Sequence, residues 1–135
     1  MILVDTNILI DLLGPDPTWA EWSRLQLNAL EATDMLAIND VVYAELSAGY
    51  QRREDVDAFI SSAGLELVGT PRPALFIAGK VFQQYRRSGG IRTGVLLDFF
   101  IGAHAMVDNA RLVTRDPRRY RTYFPGIELI TPSLN

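Results

Sequence analysis

Four carboxylates of this chain, Asp5, Glu45, Asp98 and Asp116, stand where a solvated surface charge is not expected. Asp5 closes the apolar run Ile2-Leu3-Val4. Glu45 sits beside Val41, Val42, Ala44 and Leu46. Asp98 lies within Leu96-Leu97-Asp98-Phe99-Phe100-Ile101, and Asp116 follows Leu112-Val113-Thr114. A carboxylate taken out of water is costly unless it is paired, hydrogen-bonded or bound to a cation. Few basic residues lie near Asp5, Glu45 and Asp98 in sequence, so a hard cation such as Mg²⁺ is the economical way to remove the mutual repulsion of the four. Gathered at one place they would make an acidic metal centre. Each also has an ordinary explanation. Asp5-Thr6-Asn7 reads as a strand-to-helix turn rich in capping residues, and Glu45 as the boundary charge of an amphipathic helix. Asp98 suits the first turn of a helix, and Asp116 before Pro117 suits a turn start. Asp11, three residues after Ile8, reads as solvent-facing. Spacing alone does not assemble the four.

The remaining composition narrows the chemistry toward these acids. The chain has 135 residues, no cysteine and one histidine. Disulfides, thiolate zinc sites, cysteine nucleophiles, histidine-pair nucleases and multi-histidine metal sites are therefore excluded. His104 falls in Phe99-Phe100-Ile101-Gly102-Ala103-His104-Ala105-Met106 and reads as a packed, structural histidine.

The elements that must position the acids alternate. Ile2-Leu3-Val4 reads as a short strand buried on both faces of a parallel sheet, with Asp5 at its carboxyl end, where ligands bind in open α/β sheets. A helix through Ile8-Leu13 follows. Gly14-Pro15-Asp16-Pro17 is a turn with Asp16 as cap and Pro17 as first helical residue, and that second helix runs to about Ala32. Met35-Ile38 is a strand, Asn39-Asp40 a cap, and Val41-Tyr50 a helix. A charged helix start at 52–57 ends at Gly64, before a strand at Leu65-Val68. Thr70-Pro71-Arg72-Pro73 opens a longer helix ending at Arg86-Arg87-Ser88-Gly89-Gly90. A loop carries Arg92-Thr93-Gly94, a helix spans Leu96 to Asn109, and strands are predicted at Leu112-Thr114 and Ile127-Ile130. This alternation predicts an α/β fold with a central, mostly parallel sheet of four or five short strands and helices on both faces. One domain over 1–135 is expected. No apolar stretch approaches a membrane span and no signal segment is apparent, so a cytoplasmic protein is expected.

Charge is uneven. The net charge is −3, yet residues 1–67 carry 12 acids against 3 arginines while residues 68–135 carry 4 acids against 10 bases. Twelve of the thirteen bases are arginine, the residue suited to planar contact with phosphate or carboxylate.

With the blocks laid out in order, the chain resembles the PIN-domain family, and within it the VapC toxins of toxin–antitoxin pairs. Val4-Asp5-Thr6-Asn7-Ile8-Leu9-Ile10-Asp11-Leu12-Leu13 is similar to the family's opening, and Glu45-Leu46-Ser47-Ala48-Gly49 to its second block. Asp98-Phe99-Phe100-Ile101-Gly102-Ala103-His104-Ala105 resembles the third, and Leu112-Val113-Thr114-Arg115-Asp116-Pro117-Arg118-Arg119-Tyr120 the fourth. The last departs slightly from the more frequent pattern around its acid. The resemblance implies a three-layer α/β/α fold and a Mg²⁺-dependent endoribonuclease, with Mn²⁺ as substitute ion. By analogy Asp5, Glu45, Asp98 and Asp116 form the acidic pocket. Asp5 and Asp98 would be direct ligands, with Glu45 and Asp116 helping directly or through water. Thr6, Asn7 and Thr114 would orient carboxylates or touch substrate.

The resemblance further implies a homodimer and a VapB-like antitoxin lying across the groove. The helices within 17–63, with Trp19, Trp22, Tyr43, Leu46, Tyr50 and Phe59, offer apolar surface for it. Arg86, Arg87 and Arg92 flank the loop before Asp98 and could meet RNA phosphates. Two other classes compete with this reading. A catalytically inactive PIN-like module that only binds RNA or protein would be free to lose carboxylates, yet all four are present. A receiver-type phosphoacceptor resembles a chain with paired acids after the first strand and a lysine near the last. Here only Asp5 is in place, and Lys80 falls in a helix.

Overall fold

The computed structural model describes residues 1–132. Among them five strands form one sheet: β1 (Ile2–Val4), β2 (Leu36–Asn39), β3 (Glu66–Val68), β4 (Arg111–Val113) and β5 (Leu129–Ile130). Their order is β3-β2-β1-β4-β5, and every neighbouring pair is parallel. Apolar continuity decides who sits inside. Ile2, Leu3 and Val4 are fully buried, and β1 takes the centre, pairing Ile2 with Leu36 on one side and Leu3 with Leu112 on the other. Edge strand β3 carries Glu66 and leaves Leu67 exposed. The upper end of the strand-number expectation holds, and the sheet is parallel throughout.

Seven helices connect the strands among the described residues. They are α1 (Thr6–Leu13), α2 (Pro17–Glu31), α3 (Asp40–Ser47), α4 (Arg53–Ser62), α5 (Arg72–Arg87), α6 (Val95–Val107) and α7 (Arg118–Tyr123). Strand order runs outward from β1 to β3 and then restarts on the other side at β4. Right-handed crossovers therefore put α1–α4 over one face and α5–α7 over the other. The reversal leaves a crevice between the carboxyl ends of β1 and β4, the topological switch point where open α/β folds bind ligands.

Local chemistry explains the boundaries. Asp16 caps α2 by accepting from Thr18 N at 3.0 Å, with Pro17 as first helical residue. Asn39 caps α3, its Oδ1 accepting from Val42 N at 3.0 Å. Gly64 stops α4 in the left-handed region at φ 71°, a conformation cheap only for glycine. On the α5–α7 face, Phe99 anchors an aromatic cluster, 5.0 Å from Tyr123 and 6.2 Å from Phe124 between ring centroids. A Cβ on Gly102 would lie 2.5 Å from the Phe124 ring, so glycine there lets the chain after α7 close onto α6.

Several expectations need correction. α7 was not expected, because Pro117 reads as a break and Arg118-Arg119-Tyr120-Arg121-Thr122-Tyr123 shows no apolar period. The last strand is shorter than Ile127–Ile130. Asp11 does not face solvent: its side chain is 10% exposed and takes a bidentate pair from Arg115, Nε to Oδ2 at 2.5 Å and Nη2 to Oδ1 at 3.0 Å. The Arg115 guanidinium also lies 4.7 Å from the Trp19 ring centroid, tying the chain after β4 to α1 and α2. The apolar surface expected on the helices within 17–63 is largely spent internally. Leu46 is buried, and Trp22, Tyr43, Tyr50 and Phe59 pack half-buried against the core. Most of the exposed large apolar side chains lie elsewhere, among them Ile10, Phe76, Ile91 and Leu97, and Leu25 on α2 is the exception on those helices.

Candidate active site

Asp5 leaves β1 directly into the crevice. Its backbone N–H donates to Val113 O at 3.0 Å, closing the β1–β4 ladder at that point. It occupies the N-cap position of α1, yet its side chain makes no capping hydrogen bond. Helix capping therefore does not account for this carboxylate. It points instead to Oγ1 of Thr114, which donates to Oδ2 at 2.8 Å, and to the Tyr120 hydroxyl, which donates to the same oxygen at 2.9 Å. Asn7 Nδ2 reaches Oδ2 at 3.4 Å. All the side-chain donors use Oδ2, so none of them claims Oδ1.

The other three acids arrive from distant elements. Asp5, Glu45, Asp98 and Asp116 line one cavity of about 200 Å³, together with Thr6, Asn7, Tyr120 and Arg119. Glu45 comes from α3, and its Oε1 accepts from Thr6 Oγ1 at 2.9 Å. Asp98 comes from the first turn of α6 and is paired with Arg119 of α7. Asp116 follows β4, its backbone N–H donating to Thr114 Oγ1 at 3.1 Å. Asn7 braces this corner, since its Oδ1 accepts from Arg115 N at 3.2 Å and its Nδ2 reaches Thr114 Oγ1 at 3.3 Å. Thr6, Asn7 and Thr114 thus sit between acids from different elements.

Burial governs Asp5, Glu45 and Asp98, while Asp116 stays exposed. Desolvation pushes Asp5 up from 3.8 to about 6, reinforced by the Asp98 charge and opposed by the Thr114 and Tyr120 hydroxyls. Glu45 and Asp98 are also raised, chiefly by desolvation. Thr6 opposes the shift at Glu45, and Arg119 opposes it at Asp98. Burial, followed by the Asp5 and Asp98 charges, lifts the Tyr120 hydroxyl well above its ordinary value, so it remains a donor. Because that donation favours ionised Asp5, Tyr120→Phe is expected to move the acid limb of the activity profile to higher pH. A pH–rate series on both proteins checks this, and coincident limbs would remove Tyr120 from the site's electrostatics.

The donor set is hard oxygen throughout, at three carboxyls whose ionised forms are disfavoured by burial. Those are the groups a hard divalent cation stabilises, so the residues present fit such an ion. Their arrangement is not a finished cage. Among the described residues, no three Asp, Glu, His or Cys side chains stand close enough to hold an ion as they lie. The reason is local: Asp98 is turned to Arg119, Glu45 to Thr6, and Asp5 to Thr114 and Tyr120.

The only histidine is elsewhere. His104 is 1% exposed, and Asn39 Nδ2 lies 3.3 Å from its Nδ1 while Asp108 Oδ2 lies 2.9 Å from its Nε2. Since Asn39 Oδ1 already accepts from Val42 N, the amide donates to Nδ1 and the proton sits on Nε2. This is a core histidine.

A model of the PIN domain matches residues 2–125 of this chain. The chain belongs to the PIN-domain family. It is similar to Ribonuclease VapC2 of Rickettsia felis, 28% identical over 126 residues that cover 88% of this chain and 89% of that one. It also superposes on a chain of the crystal structure of VapBC2 from Rickettsia felis bound to a promoter DNA fragment. There the TM-score is 0.73 at 25% identity, covering 98% of this chain and 100% of the other. A chain of VapBC-1 from nontypeable Haemophilus influenzae shares the fold at a TM-score of 0.68 and 22% identity, covering 97% and 98% respectively. The family expected from the four blocks is the family found.

Within this PIN-domain chain, sequence reasoning missed Tyr120 and Arg119. Both sit on the unexpected α7, and nothing local in Arg118-Arg119-Tyr120-Arg121 tells which of these residues meets a carboxylate. The basic residues expected to flank the site divide. Arg92 lines a second cavity that shares Asp116 and Arg119 with the first. Arg86 lies 4.9 Å from the Phe82 ring centroid on α5, and neither it nor Arg87 lines either cavity.

Proposed function

We propose that this chain is a divalent-metal-dependent endoribonuclease, Mg²⁺ being the working ion and Mn²⁺ its substitute, and that it acts as the toxin of a VapBC-type pair. One observation carries the reading: four carboxylates from four separate elements, with no cysteine and with the histidine in the core, line a single cavity at the switch point of a PIN-domain sheet. The relatives' names, a VapC ribonuclease and VapBC complexes, support the toxin assignment and a VapB-like antitoxin as partner. A homodimer and a cytoplasmic location belong to the same reading.

In this assignment the bound cation supplies Lewis acidity that offsets charge on a phosphodiester during in-line hydrolysis. Asp5 and Asp98 hold the ion, and Glu45 and Asp116 complete its surroundings directly or through water. Thr114 and Tyr120 fix the Asp5 carboxylate by their bonds to Oδ2, and Thr6 fixes Glu45. Asn7 couples the start of α1 to the chain carrying Asp116. Arg119 pairs with Asp98 and offsets its charge.

The test is incubation of purified protein with total RNA, with Mg²⁺ and with excess EDTA, followed by mapping of new ends. New, discrete ends that require the cation are the expected result. Cleavage that persists in EDTA overturns the metal assignment. RNA that is bound but never cut supports the inactive binding module instead.

A further inference from the structure

We propose that the second cavity is a phosphate subsite that holds the RNA backbone beside the bond cut in the acidic cavity, with Arg92 and Arg118 as its main ligands. The proposal rests on the nuclease reading and adds to it where the strand lies.

This cavity, of about 380 Å³, is lined by Arg92, Asp116, Arg118, Arg119, Thr122 and Tyr123. Asp116 and Arg119 belong to both cavities, so an occupant here adjoins the carboxylates. Three guanidiniums face one carboxylate, the reverse of the balance next door. Arg119 is engaged with Asp98. Arg92 and Arg118 are exposed and make no ion pair among the described residues, leaving their planar forks for an outside anion. Such forks match phosphate oxygens in a bidentate geometry.

Both arginines have backbones tied to the packed aromatic side of the fold. The Tyr85 hydroxyl accepts from Arg92 N at 3.1 Å, and the Tyr85 ring sits 5.9 Å from Phe99 and 6.3 Å from Tyr123. Arg118 opens α7, which Tyr120 and Phe124 pin in the core, each 2% exposed. Electrostatics supplies the need. A cavity walled by four carboxylates repels a polyanion, so a strand cut there requires cations alongside. Continuity with that cavity favours a phosphodiester strand over an acidic peptide.

The experiment measures binding of a short fluorescein-labelled single-stranded RNA of mixed sequence by anisotropy across a salt series. Ca²⁺ replaces Mg²⁺ so that binding is read apart from cleavage. Wild type is compared with Arg92→Ala/Arg118→Ala and with Arg86→Ala/Arg87→Ala on α5. Melting curves verify that each variant folds. Removing the cavity pair is expected to weaken binding about tenfold near 0.1 M salt and to lower the salt slope by about 1.4, some 0.7 per lost phosphate contact. The α5 pair should change either quantity less.

Unchanged affinity and slope in the cavity variant, or no RNA binding by wild type, overturns the subsite. So does a loss seen with polyglutamate but not with RNA, which marks an acidic-peptide site. Arginine-dependent binding by a protein that does not cut RNA in Mg²⁺ upholds the subsite while the nuclease reading fails. Cutting that ignores both arginines has the opposite meaning.

Discussion

Asp5→Asn is expected to abolish Mg²⁺-dependent RNA cleavage while making the metal-free protein more stable at neutral pH. The two effects have one cause. Asp5 is 4% exposed, and burial holds its carboxyl at about 6 rather than 3.8. At neutral pH the fold therefore carries an ionised group that its surroundings disfavour, at a cost of about 3 kcal/mol at most. Asparagine keeps an oxygen to accept from Thr114 and Tyr120 but removes the charge. A gain of about 1–3 kcal/mol, or several degrees in melting temperature, should follow. Cleavage should fall by on the order of 10²–10³-fold or more, since a charged holder of the cation that would offset transition-state charge is lost. Parallel melting curves and cleavage assays check both halves. A variant that is less stable and still active would show Asp5 to be a structural carboxylate.

The second large effect is on the wild type, through pH and cation together. An acid whose folded value is raised is no burden where both states are protonated, below its ordinary 3.8. As pH climbs, the unfolded chain ionises first while the folded one holds its proton, and the destabilisation grows until it is complete above about 6. Raised values at Glu45 and Asp98 act in the same direction. Metal-free stability contributed by this site should thus decline as pH rises from about 4 to 7. A cation that binds only the folded, ionised site reverses this. At an excess of about a hundredfold over its dissociation constant it adds about 2.7 kcal/mol. At roughly 4 °C per kcal/mol for a domain of this size, the melting temperature should rise by on the order of 10 °C. The rise should shrink sharply when Asp5 is protonated. Scanning calorimetry with and without Mg²⁺ at acidic and neutral pH gives the comparison, and a shift of equal size at both would place the ion elsewhere.

Much of this site was visible in the amino-acid order because its acids interrupt apolar runs. Ile2-Leu3-Val4 can only be an inner strand, so Asp5 had to emerge at its carboxyl end. Val113-Thr114 places Asp116 on the same rim by the same logic. Asp98 stood out amid leucines and phenylalanines, although the first turn of a helix also suits an acid. What stayed hidden is pairing between residues far apart. Nothing local announces that Arg115 reaches Asp11 across 104 positions or that Tyr120 reaches Asp5 across 115. α7 escaped notice because four of its six residues are Arg or Thr, and its helix depends on Tyr120 and neighbouring Phe124 being drawn into the core rather than on a periodic face. That omission also hid Arg119, the group that now balances Asp98.

The most direct test of the acidic cavity as a metal centre is calorimetric titration of Mn²⁺ into the wild type, Asp5→Asn and Asp98→Asn at neutral pH. Saturable binding by the wild type, lost or strongly weakened in both variants while each keeps its fold, is the expected result. Wild type that takes up no ion, or variants that bind it as tightly as the wild type, would contradict the assignment of Asp5 and Asp98 as ligands.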